Sequence, residues 1–238
     1  MITENLQTDL KSLFIKALEA NPKYSEAHLQ LALLYQDEED FQNVENHFNA
    51  AIQSDSEVAL ELDERGEELL KKFQFQNAKD QFMKVQEKKN HCANVYFQQS
   101  KYFLNQKKIT EALESLSLSI KMNPTSSEVQ RDYGILLSQE NQIDNARLHL
   151  EKSLDLNYGD SITHYQLGMI MVKMKDYEDA EQHFLSALDI NGKFVECIIE
   201  LAILKLDIDQ IDEAKKYYEK AKNITPDLKH SALEKLMD

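Results

Sequence analysis

Small and bulky residues recur along the chain with a period of 34 residues. When the sequence is aligned in rows of 34 from Ser25, six rows reach Leu228 without insertion or deletion. Column eight of this alignment holds only small residues: Ala32, Gly66, Ser100, Gly134, Gly168 and Ala202. Column twenty-four holds bulky residues: Phe48, Phe82, Leu116, Leu150, Phe184 and Tyr218. A fixed period of this length predicts a stack of similar helical units.

Each row predicts two antiparallel helices. Small residues at columns eight and twenty let the two backbones approach closely, and the bulky residue at column twenty-four fills the space beside that contact. All three prolines, Pro22, Pro124 and Pro226, stand at column thirty-two, where one hairpin is expected to end and the next to begin. Ser25 and Asp160 are predicted helix N-caps. The predicted repeats span residues 25–58, 59–92, 93–126, 127–160, 161–194 and 195–228.

This pattern resembles the tetratricopeptide repeat family in its period, its small column eight, its alanine at column twenty and its proline at column thirty-two. Leu10 and Phe14 continue the columns backwards, so residues 1–24 are predicted to be a half repeat. Residues 229–238 are predicted to form a capping helix, which a helical stack needs at its end. The resemblance implies an all-α fold, a right-handed α-solenoid of six 34-residue helix-turn-helix repeats between these two end pieces.

The charge of the chain narrows the choice of partner. The formal net charge is −15, which repels phosphate backbones and anionic membrane surfaces, so binding to nucleic acid is not expected. No stretch approaches the ~20 apolar residues needed to span a bilayer, so membrane insertion is not expected either. A partner with basic residues would be attracted, although the charge also serves solubility. The two cysteines, Cys92 and Cys197, fit no ligand or redox spacing, and no leader peptide is visible. A cytoplasmic protein is therefore expected.

Candidate chemistry is sparse. Column twenty-three holds His47, His149 and His183, and column four holds His28 and His164. Residues that share a column lie whole repeats apart, and only His149 and His183, in adjacent repeats, come into question for one metal ion. No carboxylate or cysteine spacing completes a site. No phosphate loop or nucleophile motif is present. We therefore expect no catalytic, metal or cofactor site.

The family resemblance implies that columns two, five, six, nine, twelve and thirteen line a concave groove. These columns hold ten acidic and four basic residues, and they are apolar in the fifth and sixth repeats. The expected occupant is a peptide or protein with apolar and basic residues. Alternatively, the isoleucines and Met169 belong partly to the core. The predicted groove residues are Gln98, Lys101, Arg131, Ile162, Tyr165, Gln166, Met169, Val172, Ile199, Glu200, Ile203 and Leu206.

The sequence predicts a non-catalytic scaffold that holds a protein or peptide. Two alternatives remain open. The chain could self-assemble through the half-repeat helix predicted at residues 9–20, which has no partner helix before it. It could also be the repeat module of a larger enzyme or of a secretion or assembly complex.

Overall fold

A computed structural model describes the backbone of residues 2–72 and 74–235, and their side chains except at residues 2–8, 70 and 75. Within these ranges every regular element is an α-helix, which confirms the all-α fold of helix-turn-helix repeats. The helices are α1 (Ile2–Ala20), α2 (Ser25–Asp37), α3 (Phe41–Lys71), α4 (Phe75–Asn105), α5 (Ile109–Met122), α6 (Ser127–Gln139), α7 (Ile143–Leu156), α8 (Ser161–Met174), α9 (Tyr177–Ile190), α10 (Val195–Asp207), α11 (Ile211–Ile224) and α12 (Ser231–Glu234). They form two compact units, Met1–Thr125 (unit 1) and Ser126–Asp238 (unit 2).

Unit 2 consists of three regular hairpins, α6–α7, α8–α9 and α10–α11. A Cβ atom added at Gly168 would lie 2.6 Å from the Phe184 ring, and one added at Gly134 would lie 2.7 Å from Leu150 Cγ. These are the contacts predicted between columns eight and twenty-four. Glycine is present because the facing side chain occupies the space that a Cβ would need.

The turns inside the first repeat and inside the third to sixth repeats have the same backbone conformation. Among the described residues, those other than glycine with a positive φ all stand at column fifteen: Glu39, Lys107, Asn141, Lys175 and Asp209. The following N–H donates to a carbonyl five residues earlier, as Asp176 does to Met171 at 2.9 Å. This left-handed residue closes the first helix of each of these hairpins.

In unit 2 and at the end of unit 1, the turns between hairpins use an asparagine at column thirty-one. The side chains of Asn123 and Asn191 accept hydrogen bonds from the backbone N–H two residues later, at 3.1 and 3.3 Å. Pro124 or a glycine follows, so the helix cannot continue. Asp160 caps α8 as predicted, accepting from the Ile162 N–H at 3.0 Å.

The corresponding turns between the first three repeats do not form. Helix α3 runs through column thirty-one at Asp55, and α4 runs through it at Lys89. Neither residue is followed by proline or glycine, so nothing in the sequence breaks these helices. Ser25 is not the N-cap that the sequence predicted: Tyr24 holds that position, and Ser25 Oγ donates to Asp55 Oδ1 at 2.8 Å.

As a result, the first repeat packs directly against the third. The Tyr102 ring lies 6.1 Å from the Phe48 ring, and Lys108 Nζ lies 3.3 Å from Glu45 Oε1. The buried cluster that joins the two repeats comprises Leu29, Ala32, Val44, Phe48, Ala51, Val95 and Tyr102. None of the described side chains of the second repeat belongs to this cluster.

A buried ionic network fixes the place where α3 and α4 leave the stack. Asp55 is 1% exposed and contacts Lys88 Nζ at 3.1 Å and His91 Nδ1, while His91 Nε2 contacts Glu26 at 2.7 Å. Burial alone would raise the pKa of Asp55, but hydrogen bonds from His91, Ser25 and Lys88 hold it below its usual value. The hydrogen bond with Asp55 likewise raises the pKa of His91.

The two ends of the chain differ. At the start, α1 packs on α2, with Lys11 Nζ against Glu38 and 3.8 Å from the centre of the Tyr35 ring. At the end, α12 is shorter than the capping helix predicted for residues 229–238, the last three of which lie outside the described residues. Leu233 of α12 is fully buried in a cluster with Ala202 and Tyr218.

Candidate interaction groove

The apolar groove residues of unit 2 lie on α8 and α10 with their side chains half-exposed. Ile162 is 42% exposed, and Tyr165, Met169, Val172 and Ile199 are partly buried against one shared core cluster. That cluster consists of fully or almost fully buried residues of α8 to α11, so it holds the half-exposed side chains on a packed base. These residues therefore belong partly to the core, as the alternative expected, and their role in a partner-binding groove stays a prediction.

Tyr165 and Glu200 carry the polar chemistry of this surface. The Tyr165 ring lies 5.0 Å from Phe194 and 6.0 Å from Phe184. Burial and the nearby Glu200 carboxylate raise the pKa of Tyr165 to about 12, so its hydroxyl stays a neutral hydrogen-bond donor. Burial also raises the pKa of Glu200, and His230 counteracts this rise.

The C-terminal segment covers part of the same surface. Ile199, Ile203 and Leu206 pack against the cluster that contains Leu233. The His230 N–H donates to the Tyr218 hydroxyl at 3.2 Å, which fixes the segment in place. Two of the predicted groove residues, Ile203 and Leu206, therefore also pack against the end cap, which the sequence alone did not indicate.

The predicted basic and polar residues are engaged in local contacts. Arg131 on α6 donates from Nη1 to Asp160 and from Nε to Asp132, each at 3.0 Å. Because these carboxylates already bind it, Arg131 is a structural ion-pair partner. Lys101 Nζ lies 3.9 Å from the centre of the Phe97 ring.

The remaining polar residues divide between the two units. Gln98 Nε2 lies 3.5 Å from Asn94 Oδ1. Gln98 and Lys101 are on α4 in unit 1, and Gln166 is half-buried on α8 in unit 2. Among the twelve predicted residues, six pack against two clusters: Tyr165, Met169, Val172 and Ile199 against one, and Ile199, Ile203 and Leu206 against the other.

Histidine pairs between columns four and twenty-three were not anticipated. The Nδ1 atoms of His28 and His47 lie 2.8 Å apart, and those of His164 and His183 lie 3.3 Å apart. His164 Nε2 donates to the Tyr158 carbonyl, so its Nδ1 accepts from His183. Comparing different columns of one row, rather than one column of different rows, would have revealed these pairs.

Metal ligands, reactive thiols and membrane-spanning helices are the features that bear on catalysis and on membrane insertion. In the ranges 2–72 and 74–235, no three His, Cys, Asp or Glu side chains are grouped so that they could hold a metal ion. Burial raises the thiol pKa of Cys92 to about 11 and of Cys197 to about 12, which makes both poor nucleophiles at neutral pH. No helix in these ranges is long and apolar enough to cross a membrane.

Comparisons with known proteins agree on the repeat type. The tetratricopeptide repeat family model matches residues 171–237. The solved structure of YrrB, described as a tetratricopeptide repeat protein with an unusual peptide-binding site, is 16% identical, with a TM-score of 0.63 over 92% of this chain and 94% of YrrB. MamA is 19% identical, with a TM-score of 0.54 over 74% of this chain and 98% of MamA.

PilW, described as a type IV pilus biogenesis factor, is 19% identical, with a TM-score of 0.56 over 76% of this chain and 86% of PilW. No curated protein sequence matches significantly. Residues 171–237 therefore match the tetratricopeptide repeat by sequence, and the solved structures share the helix-turn-helix fold over most of this chain.

Proposed function

We propose that the chain is a non-catalytic scaffold that holds a peptide or a partner protein on the surface formed by α8 and α10. The observation that carries this proposal is the row of half-exposed apolar side chains that rest on a fully buried core. Such a surface loses little conformational entropy when it binds, because the packed hairpins already hold its side chains in position.

The chemistry of the surface favours an occupant with apolar and basic residues. Ile162, Tyr165 and Met169 offer apolar contact, and the Glu200 carboxylate lies near Tyr165. The net charge of −15 attracts a basic partner from a distance. We expect no cofactor, no metal ion and no nucleic acid at this site.

Selection from a phage-displayed library of random peptides tests the proposal. We expect enriched peptides to combine apolar with basic residues. Ile162→Glu with Met169→Glu should weaken binding of an enriched peptide at least about tenfold. Leu148→Glu with Leu185→Glu is the matched control, because these leucines are 48% and 42% exposed on the second helices α7 and α9. Equal loss in both variants, or no enrichment, would contradict the proposal.

A cytoplasmic location is also proposed. Cys92 and Cys197 are free and buried, so neither forms a disulfide, as is usual for a reducing compartment. Fractionation of native cells with an antibody against the chain tests this location, and recovery in a periplasmic or extracellular fraction would contradict it.

Self-assembly through α1 is a second candidate function. Leu10, Leu13 and Ile15 on this helix are 39%, 60% and 41% exposed. In the complete repeats, residues at column twenty are fully buried under the first helix of the hairpin, as Ala180 is. Leu13→Glu should abolish any association that uses this face, which light scattering would detect.

A further inference from the structure

The second repeat forms an arm, defined here as residues 57–72 and 74–90. Helix α2 begins beside Asp55, and α5 ends at Met122, which lines a small cavity with Leu60 and Cys92. The helices of the arm continue past both points. At about 1.5 Å per residue, α3 extends about 24 Å beyond Asp55. The arm therefore stands clear of the helices that flank it in unit 1.

A single seam holds the two helices of the arm together. Apolar and small residues recur at intervals of three and four, as in an antiparallel coiled coil. Gly66, Ala78 and Val85 are buried in this seam, while Phe82 is only half-buried. The described seam residues are Ala59, Leu62, Gly66 and Leu69 on α3, and Ala78, Phe82 and Val85 on α4.

Outside the seam, the arm lacks the cover that other repeats have. Leu60 is 65% exposed and Met83 is 51% exposed. In the regular hairpins, the column twenty-four residues Leu116, Leu150, Phe184 and Tyr218 are at most 1% exposed, whereas Phe82 of the arm is half-buried. The arm therefore exposes apolar surface that stacking covers elsewhere.

The two halves of the arm carry opposite charge. Residues 57–68 on α3 hold six acidic residues and Arg65, while residues 79–89 on α4 hold four lysines and two acidic residues. The ion pairs of the arm are Lys72 with Glu68, and pairs of its base with Lys23 and Asp55. In the described residues no ion pair joins the acidic half to the basic half, so these charges do not neutralise each other within the arm through ion pairs.

We propose that the arm binds the arm of a second copy of this chain, with the acidic half of each lying on the basic half of the other. A two-fold axis along the arm satisfies both charge matches at once and covers Leu60 and Met83. The arm as a whole carries eight acidic and seven basic residues, while the chain has a net charge of −15. The arm itself is therefore nearly neutral, and two arms repel each other little. This proposal does not depend on the groove.

Sedimentation of the full chain across a concentration series tests this proposal. The wild type should rise towards twice its mass of 27.6 kDa, and less so at high salt. Glu64→Lys with Glu67→Lys should weaken self-association at least about tenfold, and so should Lys79→Glu with Lys84→Glu. An equimolar mixture of these two variants should restore association, because their reversed charges match each other.

Asp212→Lys with Glu219→Lys is the matched control, since it changes charge equally at exposed positions of α11. It should leave association unchanged, and circular dichroism should show equal helix content in all variants. A wild type that stays monomeric, or a mixture that fails to restore association, would overturn the proposal. Association that survives both arm reversals would also overturn it and would point to another surface, such as α1.

Discussion

Units 1 and 2 follow the same 34-residue pattern but stack differently. In unit 2, breaker residues such as those at Asn191–Gly192 end each second helix, and the next hairpin packs against the last. In unit 1, Asp55 and Lys89 stand at column thirty-one, and the helices continue through it. Columns eight, twenty and twenty-four thus fix the pairing inside a hairpin. Columns thirty-one to thirty-three decide whether the next hairpin joins the stack.

The largest expected difference concerns the aromatic residue at column twenty-four. Phe184 is fully buried in unit 2, so Phe184→Ala should cost about 3–5 kcal/mol of unfolding free energy. Phe82 is half-buried in the arm, so Phe82→Ala should cost about 1–2 kcal/mol. Urea denaturation of both variants measures the difference. Equal costs would mean that the second repeat is as closely stacked as the fifth.

A proline substitution at column thirty-two should have different effects in the continuous helix α3 and in the turn that follows α7. Ser56→Pro removes a hydrogen bond inside α3 and should cost about 3 kcal/mol of unfolding free energy. Tyr158→Pro places proline at the same column of the fourth repeat, where the preceding Asn157 is already extended at φ −149° and ψ 88°. It should cost less than about 1 kcal/mol. If Ser56→Pro left the free energy of unfolding unchanged, α3 would not be a continuous helix at residue 56.

Substituting alanine for the column eight glycines Gly168 and Gly66 should change the free energy of unfolding in opposite directions. Gly168→Ala places a Cβ 2.6 Å from the Phe184 ring, which is fully enclosed, so it should cost about 1–3 kcal/mol. Gly66→Ala meets the Phe82 ring at the same distance, but that ring is half-exposed and can move aside. The better helix propensity of alanine should then leave stability equal or raise it by up to about 1 kcal/mol. Thermal unfolding of the two variants compares them.

The smallest expected difference is in how His183, in unit 2, and His91, in unit 1, make the free energy of unfolding depend on pH. Burial and His164 lower the pKa of His183, so the unfolded chain binds protons more readily and stability falls as pH drops below about 6.5. The pKa of His91 is raised, so its contribution is complete below about 6.5 and is lost as pH rises through the folded pKa. His183→Asn should reduce the loss in acid, and His91→Asn should reduce the loss above neutral pH. Urea midpoints from pH 5 to 8 test both, with effects below about 1 kcal/mol because the rings are half-exposed.

Much of the fold was readable from periodicity. The contacts of Gly134 and Gly168 with column twenty-four follow directly from the aligned rows. The two missing turns were not predicted, although a signal was present, because neither Asp55 nor Lys89 is followed by proline or glycine. The left-handed conformation of the turn residues could not be predicted from the sequence, because Lys175 and its equivalents are not glycines. Their conformation is imposed by the packed hairpin.

The groove was less readable than the fold. Half-exposed apolar residues have the same sequence pattern as core residues, so Met169 could not be assigned to either from the alignment. The partial cover of Ile203 by the C-terminal segment depends on tertiary packing of Leu233. Arg131 looked available because Asp160, which binds it, lies 29 residues away. Side-chain partners at such separations have no local signal.

The direct packing of the first repeat on the third is tested most directly by cross-linking Glu45 to Lys108. Their charged atoms lie 3.3 Å apart, and both side chains are more than 40% exposed. A carbodiimide joins such a pair without a spacer, and mass spectrometry of the digest identifies the link. The account predicts a Glu45–Lys108 link that disappears in Lys108→Gln. If Lys108 links instead to acidic residues of the second repeat, the second repeat lies between the other two and the account is contradicted.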